Sequence, residues 1–161
     1  MITKKDIKFL ELIDKMEPGA LCLRANIAAV VVKNNRVLFK HTNDWHCQYP
    51  CNKIGCIRNR RHIKSGEKRE ICYGMCAEQW IIAQAVKKGV SLKNATLYCT
   101  KHPCRICSSL IAESGIARVV YQEGYPEVLP HFDILRDSNV KVERGPQTTF
   151  KSKKIAKSHT I

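Results

Sequence analysis

Apolar residues recur at helical spacing across residues 3–16, TKKDIKFLELIDKM. Ile7, Leu10 and Ile13 share a face, Phe9 and Met16 lie less regularly beside it, and Thr3 is placed to cap the first turn. Pro18-Gly19 stops that helix. The pattern then changes. Ile27 to Val32 is an unbroken run of small and β-branched residues, which predicts a strand buried on both faces. Lys33-Asn34-Asn35 reads as a turn, because asparagine tolerates positive φ, and Arg36-Val37-Leu38-Phe39 as the returning strand of a hairpin.

Periodicity disappears over residues 43–72, a stretch that holds Cys47, Cys51, Cys56 and Cys72. A loop this long in a compact domain is, as a rule, functional or held by something. Beyond it the pattern predicts a helix from Cys76 to Lys88 closed by Gly89, a strand over 95–100, a helix from Pro103 to Ser114 closed by Gly115, and a strand over 118–121. A helix from His131 to Ser138 and a short strand over 140–142 complete the series. Strands alternating with helices predict a parallel or mixed sheet covered on both faces, and the antiparallel hairpin makes it mixed. The expected fold class is therefore α/β, one three-layer domain over residues 1–150. Residues 151–161 carry four lysines and no acid, with little to bury, and read as a flexible basic tail.

A chain of 161 residues supports one core without staples. Its longest apolar run falls far short of the roughly 18–20 residues of a membrane span. The N-terminal segment carries acids throughout and lacks the apolar stretch of a signal peptide, so the expectation is a cytoplasmic protein. Two counts alter the picture. Nine cysteines in a reducing compartment do not make a disulfide framework, and an odd number cannot pair fully within one chain, which points to metal. A formal net charge of +14 favours anionic partners such as phosphate esters or nucleic acid, with a lysine-rich host proteome as the bland alternative.

Three of the cysteines stand where metal chemistry wants them. Cys104 and Cys107, three apart at a helix start, face the same way, and Cys76 begins the preceding helix. Helix N-termini stabilise thiolates, and three ligands leave the fourth tetrahedral position of zinc open, the arrangement of a catalytic site. Glu78, two residues after Cys76, is placed to take a proton from water at such a metal and deliver it to a substrate nitrogen. Each part alone has a plainer reading: the Cys-x-x-Cys as a structural zinc knuckle or two buried thiols, and Glu78 as an acid complementing the helix dipole. The combination of Cys76-Ala77-Glu78 with Pro103-Cys104-Arg105-Ile106-Cys107, Pro103 standing 25 positions after Glu78, is much harder to obtain by chance.

This combination resembles the zinc-dependent cytidine and deoxycytidylate deaminase superfamily. The likeness runs over roughly residues 20–145 and is strongest to the deoxycytidylate branch: Cys22-Leu23-Arg24 before the apolar strand, Gly55-Cys56-Ile57-Arg58, Ser65-Gly66-Glu67, Thr100 three residues before Pro103, Ser114-Gly115-Ile116, and Gly124-Tyr125-Pro126. The resemblance implies a five-stranded mixed sheet with helices on both faces and a zinc held between two helix N-termini by Cys76, Cys104 and Cys107. It implies hydrolytic deamination at C4 of a cytosine nucleotide, most plausibly dCMP to dUMP plus ammonia. Glu78 then carries the proton through N3 to the leaving amino group. It also implies a homo-oligomer, dimer or hexamer.

The departures from the family are specific. The deoxycytidylate branch usually has histidine as first ligand, and here it is Cys76, so three thiolates on one Zn²⁺ leave a net charge of −1. Arg105, between two ligands, is the expected offsetting cation, with a solvated helix residue as the alternative. Trp80 stands where family members often have asparagine, and their substrate loop aligns with His41-Thr42-Asn43-Asp44, retaining only Asn43. Some relatives carry a structural zinc in the long loop. Here Cys51, Cys56 and Cys72, with His46, Cys47 or His62 as the fourth ligand, would hold it. Cys22 and Cys99 read as small core residues within apolar strands. Between Lys53 and Arg69 there are seven Lys or Arg and one acid, Glu67, so a 5′-phosphate is expected on Arg58, Arg60 or Arg61. The rival functions are a cytosine or adenine deaminase of a polynucleotide, with loop and tail tracking the backbone, and a non-catalytic zinc-stabilised binding module.

Overall fold

The computed structural model describes residues 1–43, 50–124 and 133–148. Thr3 caps helix α1 (Lys4–Met16) from both sides: its hydroxyl accepts from the Asp6 N–H, and its own N–H donates to the Asp6 carboxylate at 2.7 Å. A 3-10 turn at Glu17–Gly19 ends that helix. Strands β1 (Ala28–Lys33) and β2 (Arg36–Thr42) form the antiparallel hairpin, with Asn34 and Asn35 at φ of 52° and 61° in its turn. The aperiodic stretch holds two single-turn helices, α2 (Cys51–Ile54) and α3 (Ile57–Arg60), too short to imprint a repeat on the sequence. Helix α4 (Ala77–Lys87), strand β3 (Thr96–Lys101), helix α5 (Arg105–Glu113) and strand β4 (Arg118–Glu123) follow close to the expected bounds. Gly89 and Gly115, at φ of 63° and 82°, provide the left-handed residue after α4 and α5. The helix expected over 131–138 is a single turn, α6 (Ile134–Asp137), because Asp133 caps it: its carboxylate accepts from the N–H groups of Leu135 and Arg136. Residues 131 and 132, like the basic tail at 151–161, lie outside the described residues. Strand β5 (Lys141–Arg144) completes the sheet.

The strand order is β2-β1-β3-β4-β5. Strand β1 runs antiparallel to β2 and β3, while β3, β4 and β5 run parallel, so the sheet is mixed, as the hairpin predicts. Alternation along the strands divides the core in two. Ala28, Val30, Val32, Tyr98 and Val120 face α1 and pack on Phe9, Leu10 and Ile13. Ala29, Val31, Leu97, Cys99 and Val119 face the opposite way, onto Ala77 and Ile81 of α4, Ile111 of α5 and Leu135 of α6. The result is the three-layer α/β architecture expected, and β1 is apolar throughout because both its faces are covered. Charge adds to the α1 layer. Asp6, 2% exposed, accepts from Arg118 Nη1 at 2.7 Å and from the Tyr98 hydroxyl at 2.6 Å, and Arg118 Nε reaches Glu143 at 2.6 Å. Among the described residues no helix is long and apolar enough to cross a membrane.

Candidate active site

Helices α4 and α5 both begin on a cysteine. Cys76 and Cys104 are their N-caps, each with extended backbone. The first intrahelical bonds run from Trp80 N–H to the Cys76 carbonyl at 3.1 Å and from Ser108 N–H to the Cys104 carbonyl at 2.8 Å. The first N–H groups of both helices, and the positive ends of both dipoles, therefore meet at one place. Cys107, in the first turn of α5, brings a third sulfur. The three sulfurs lie within 4.8 Å of one another, and among the described residues no other set of three or more His, Cys, Asp or Glu side chains gathers this tightly.

Three sulfurs at that spacing cannot all ionise unaided. Hydrogen bonds from the Cys107 and Cys76 thiols hold Cys104 on the thiolate side. The same sharing with Cys104 pushes Cys76 and Cys107 towards the thiol. A divalent cation with affinity for thiolate lifts that limit. Soft donors on two helix N-termini, with no fourth thiol or imidazole gathered there among the described residues, suit zinc with one open position.

Glu78 sits in the first turn of α4, 3% exposed, and its Oε2 has no hydrogen-bond partner. Burial raises its carboxyl from 4.5 to about 7, against the opposing pull of its own backbone N–H and of the Arg69 charge. A buried carboxylate oxygen is costly to leave bare, which suits a group meant to meet a partner from solution. The cation beside the thiols is Arg69, whose Nη2 donates to Cys76 Sγ at 2.7 Å. Arg105, expected in that role, is instead exposed. Cys104 and Cys107 occupy the inward face of α5, and the residue directly after Cys104 points about 100° away from it.

Cys76 and Arg69 also line a cleft of about 770 Å³, counting its open mouth. Arg24, Arg58 and Lys101 complete a cationic lining in which, among the described residues, no carboxylate takes part. Arg58 is 6% exposed, its Nε has no hydrogen-bond partner, and its Nη2 makes only a long 3.4 Å bond to the Lys64 carbonyl.

A family model described as the cytidine and deoxycytidylate deaminase zinc-binding region matches residues 3–123. The chain belongs to the cytidine and deoxycytidylate deaminase family. It is 31% identical over 121 residues to the deoxycytidylate deaminase of Schizosaccharomyces pombe, a match covering 74% of this chain and 37% of that one. To the deoxycytidylate deaminase of Saccharomyces cerevisiae it is 28% identical over 142 residues, covering 86% and 44%. The chain thus spans less than half the length of these two relatives. Its fold is similar to that of the dCMP deaminase of cyanophage S-TIM5, crystallised with dCMP and dUMP, at a TM-score of 0.69 and 24% identity over 90% of this chain and 99% of that one.

Within this deaminase architecture the remaining site candidates separate. Asn43 lines the cleft, but its side chain is engaged with the backbone: Oδ1 accepts from Ile27 N–H at 2.8 Å and Nδ2 donates to the Ala25 carbonyl at 2.6 Å. It fixes the chain entering β1. Trp80, where many family members have asparagine, stacks on His41 with ring centroids 4.0 Å apart, joining α4 to β2. Arg60 and Arg61 are exposed and do not line the cleft, unlike Arg58, because α3 is a single turn with one buried side. Cys51 feels the charges of Cys72, Cys56 and Cys22, which add to burial in raising its thiol, but these sulfurs are not gathered as closely as the first three. Cys22 lies ahead of β1, half-buried and outside any strand, so it is not the core residue expected, whereas Cys99 is fully buried in β3. His46 and Cys47 lie outside the described residues. Arg24 entered the sequence reading only as part of Cys22-Leu23-Arg24 and Arg69 only as the end of the basic stretch, and Lys101 not at all; nothing in the sequence marks any of the three as a cleft residue.

Proposed function

We propose that the chain is a hydrolytic deaminase of a cytosine mononucleotide, converting dCMP and water to dUMP and ammonia at a zinc held by Cys76, Cys104 and Cys107. The observation that carries this reading is the bare, buried carboxylate oxygen of Glu78 beside three gathered sulfurs. Zinc supplies Lewis acidity there, which makes water a competent nucleophile at neutral pH. Glu78 does the proton work: it accepts a proton from the attacking water and gives it to N3 of the base. It then moves the second proton to the 4-amino nitrogen as the C4–N bond breaks and ammonia leaves. A carboxyl raised to about 7 by burial is matched to giving as well as taking near neutrality. Arg58, buried and with an unused Nε, supports a 5′-phosphate, and so does the carboxylate-free lining of the cleft. The dUMP and dCMP bound in the cyanophage enzyme agree with a mononucleotide.

The test is ammonia release from cytidine, deoxycytidine, their monophosphates and cytosine-containing oligonucleotides. Deoxycytidylate is expected to lead. Preference for an oligonucleotide, falling steeply with salt, would replace the substrate with a polynucleotide. Inactivity of the zinc-loaded protein on the whole panel would leave a binding module. A homo-oligomer (dimer or hexamer) and cytoplasmic residence belong to the same proposal, and sedimentation checks the first.

A second, structural zinc on Cys51, Cys56 and Cys72 belongs to it as well. Cys22 is a nearer candidate for the fourth position than the sequence suggested, with His46 as the other. Elemental analysis should give two zinc per chain, and Cys56→Ser should remove one of them.

A further inference from the structure

On the α1 side of the sheet, away from the sulfurs, a second group of buried polar atoms is left incomplete. Asp14 lies in the last turn of α1 and Gln122 in β4, and they are 2% and 1% exposed. Gln122 Nε2 donates to Asp14 Oδ2 at 2.9 Å, and the hydroxyl of Thr148, beyond the end of β5, donates to the same oxygen. The other oxygen of each side chain, Asp14 Oδ1 and Gln122 Oε1, is buried with no hydrogen-bond partner among the described residues. Each is one carbon away from an end of the 2.9 Å bond, so two bare acceptors flank a single contact. Asp14 has no ion-pair partner either among the described residues. Arg144, which reaches Gln122, is exposed and directs its Nε to the Gln122 backbone carbonyl at 3.1 Å.

A buried carboxylate with neutral donors on one oxygen alone is costly to hold. A water molecule has the protons to satisfy both bare oxygens, but it leaves the charge standing. A cation answers both needs. The donors are all oxygen: a carboxylate, an amide carbonyl and a hydroxyl beside them. Such a set suits alkali and alkaline-earth ions and not thiophilic metals. Charge separates those two groups. One carboxylate and two neutral oxygens sum to zero with a monovalent ion, and to a buried surplus of +1 with a divalent one.

We propose that Asp14 Oδ1 and Gln122 Oε1, with the Thr148 hydroxyl beside them, form a site for a monovalent alkali cation that fastens the end of α1 to β4 and to the segment after β5. Gln122 shares the strand face of Val120, which packs on α1, so the site lies across the sheet from Cys76, Cys104 and Cys107. It stands independently of any metal at those sulfurs.

The experiment is thermal unfolding of the zinc-loaded full chain in lithium, sodium, potassium and rubidium chlorides, each titrated against choline chloride at constant ionic strength. Choline keeps screening and anion the same and is too large for a buried site. The unfolding midpoint should climb with the concentration of at least one alkali ion, by about 3–5 °C for each tenfold rise above half-saturation. Asp14→Asn keeps the shape and removes the charge, and its new amide N–H is placed to donate to Gln122 Oε1. In choline its midpoint should match or exceed that of wild type, and its alkali dependence should vanish. Gln122→Met keeps the length and removes the amide oxygen. It should move half-saturation to higher concentration, and it carries the test if Asp14→Asn does not fold. Equal wild-type midpoints in alkali and choline chlorides would overturn the proposal and leave a buried water between the two oxygens. A dependence that survives both substitutions would place the ion elsewhere and overturn it too. So would a response to magnesium or calcium alone, which contradicts the charge arithmetic.

Discussion

At the scale of single residues, Glu78 and Arg58 make the sharpest claims. Glu78→Gln keeps size and hydrogen bonding but removes the ability to carry a proton. Deamination should fall by at least about 10²–10⁴-fold with zinc retained, measured by turnover of the zinc-loaded variant. The same substitution has a second signature in the metal-free protein. Burial raises the Glu78 carboxyl from 4.5 to about 7, so its contribution to stability is complete below about pH 4.5 and is lost as pH rises through 7. Metal-free wild type should weaken over that window relative to Glu78→Gln by on the order of 3 kcal/mol in denaturant titrations at pH 5 and pH 8. Curves that stay parallel would show that Glu78 is not buried as a strained acid. Arg58→Gln should cut kcat/KM for deoxycytidylate by about ten- to a hundredfold and leave deoxycytidine nearly untouched, the pattern of one lost charge-assisted contact. Arg60→Gln and Arg61→Gln should do neither. The four residues of the thiol–carboxylate cluster were legible in the sequence because their spacing coincides with helix starts, which fix geometry locally. Arg69 was not. Its role depends on a left-handed turn at Lys68 that no residue pattern announces, and Arg105, adjacent to the ligands in sequence, is turned away from them by the helix itself.

At the scale of elements, α1 is attached to the sheet by its apolar face and by a buried ion pair. Burial would push the Asp6 carboxyl up, but hydrogen bonds from Arg118, Tyr98 and Thr3 outweigh it and hold the group well below the usual carboxylate range. With the folded value depressed, the stability it contributes is present above about pH 4, near the unfolded carboxylate value. It is lost as pH falls through the folded value. Asp6→Ala leaves the Arg118 guanidinium, partly buried at 19% side-chain exposure, with Glu143 as its remaining carboxylate and takes the acceptor from the Tyr98 hydroxyl, and should cost about 1.5–3 kcal/mol at neutral pH by denaturant titration. That deficit should shrink on acidification below pH 4. A loss under 1 kcal/mol would mean the pair is screened. The long elements were readable because each combines periodicity with a stop: Thr3 with Pro18-Gly19 for α1, Gly89 for α4, Gly115 for α5. Helices α2, α3 and α6 were missed or overextended because one turn of four residues is shorter than the repeat that identifies a helix.

At the scale of the whole molecule, the sheet separates two cores that have little to do with each other chemically. One joins α1 to the sheet through apolar contacts and the Asp6–Arg118 pair; the other carries α4 and α5, whose first turns converge on the sulfurs. Removing a metal from between those turns takes away whatever joins the three sulfurs, and does so on only one side of the sheet. Opening should therefore be lopsided. Upon chelation, amide hydrogen exchange should accelerate over residues 77–80 and 105–108, while α1 and the paired amides of β1 and β3 keep their protection. Uniform acceleration, α1 included, would mean that the two layers open as one. A lopsided answer would make the sheet and α1 a standing platform on which the sulfur-bearing half can be lost and re-formed with the metal, without the chain ever unfolding.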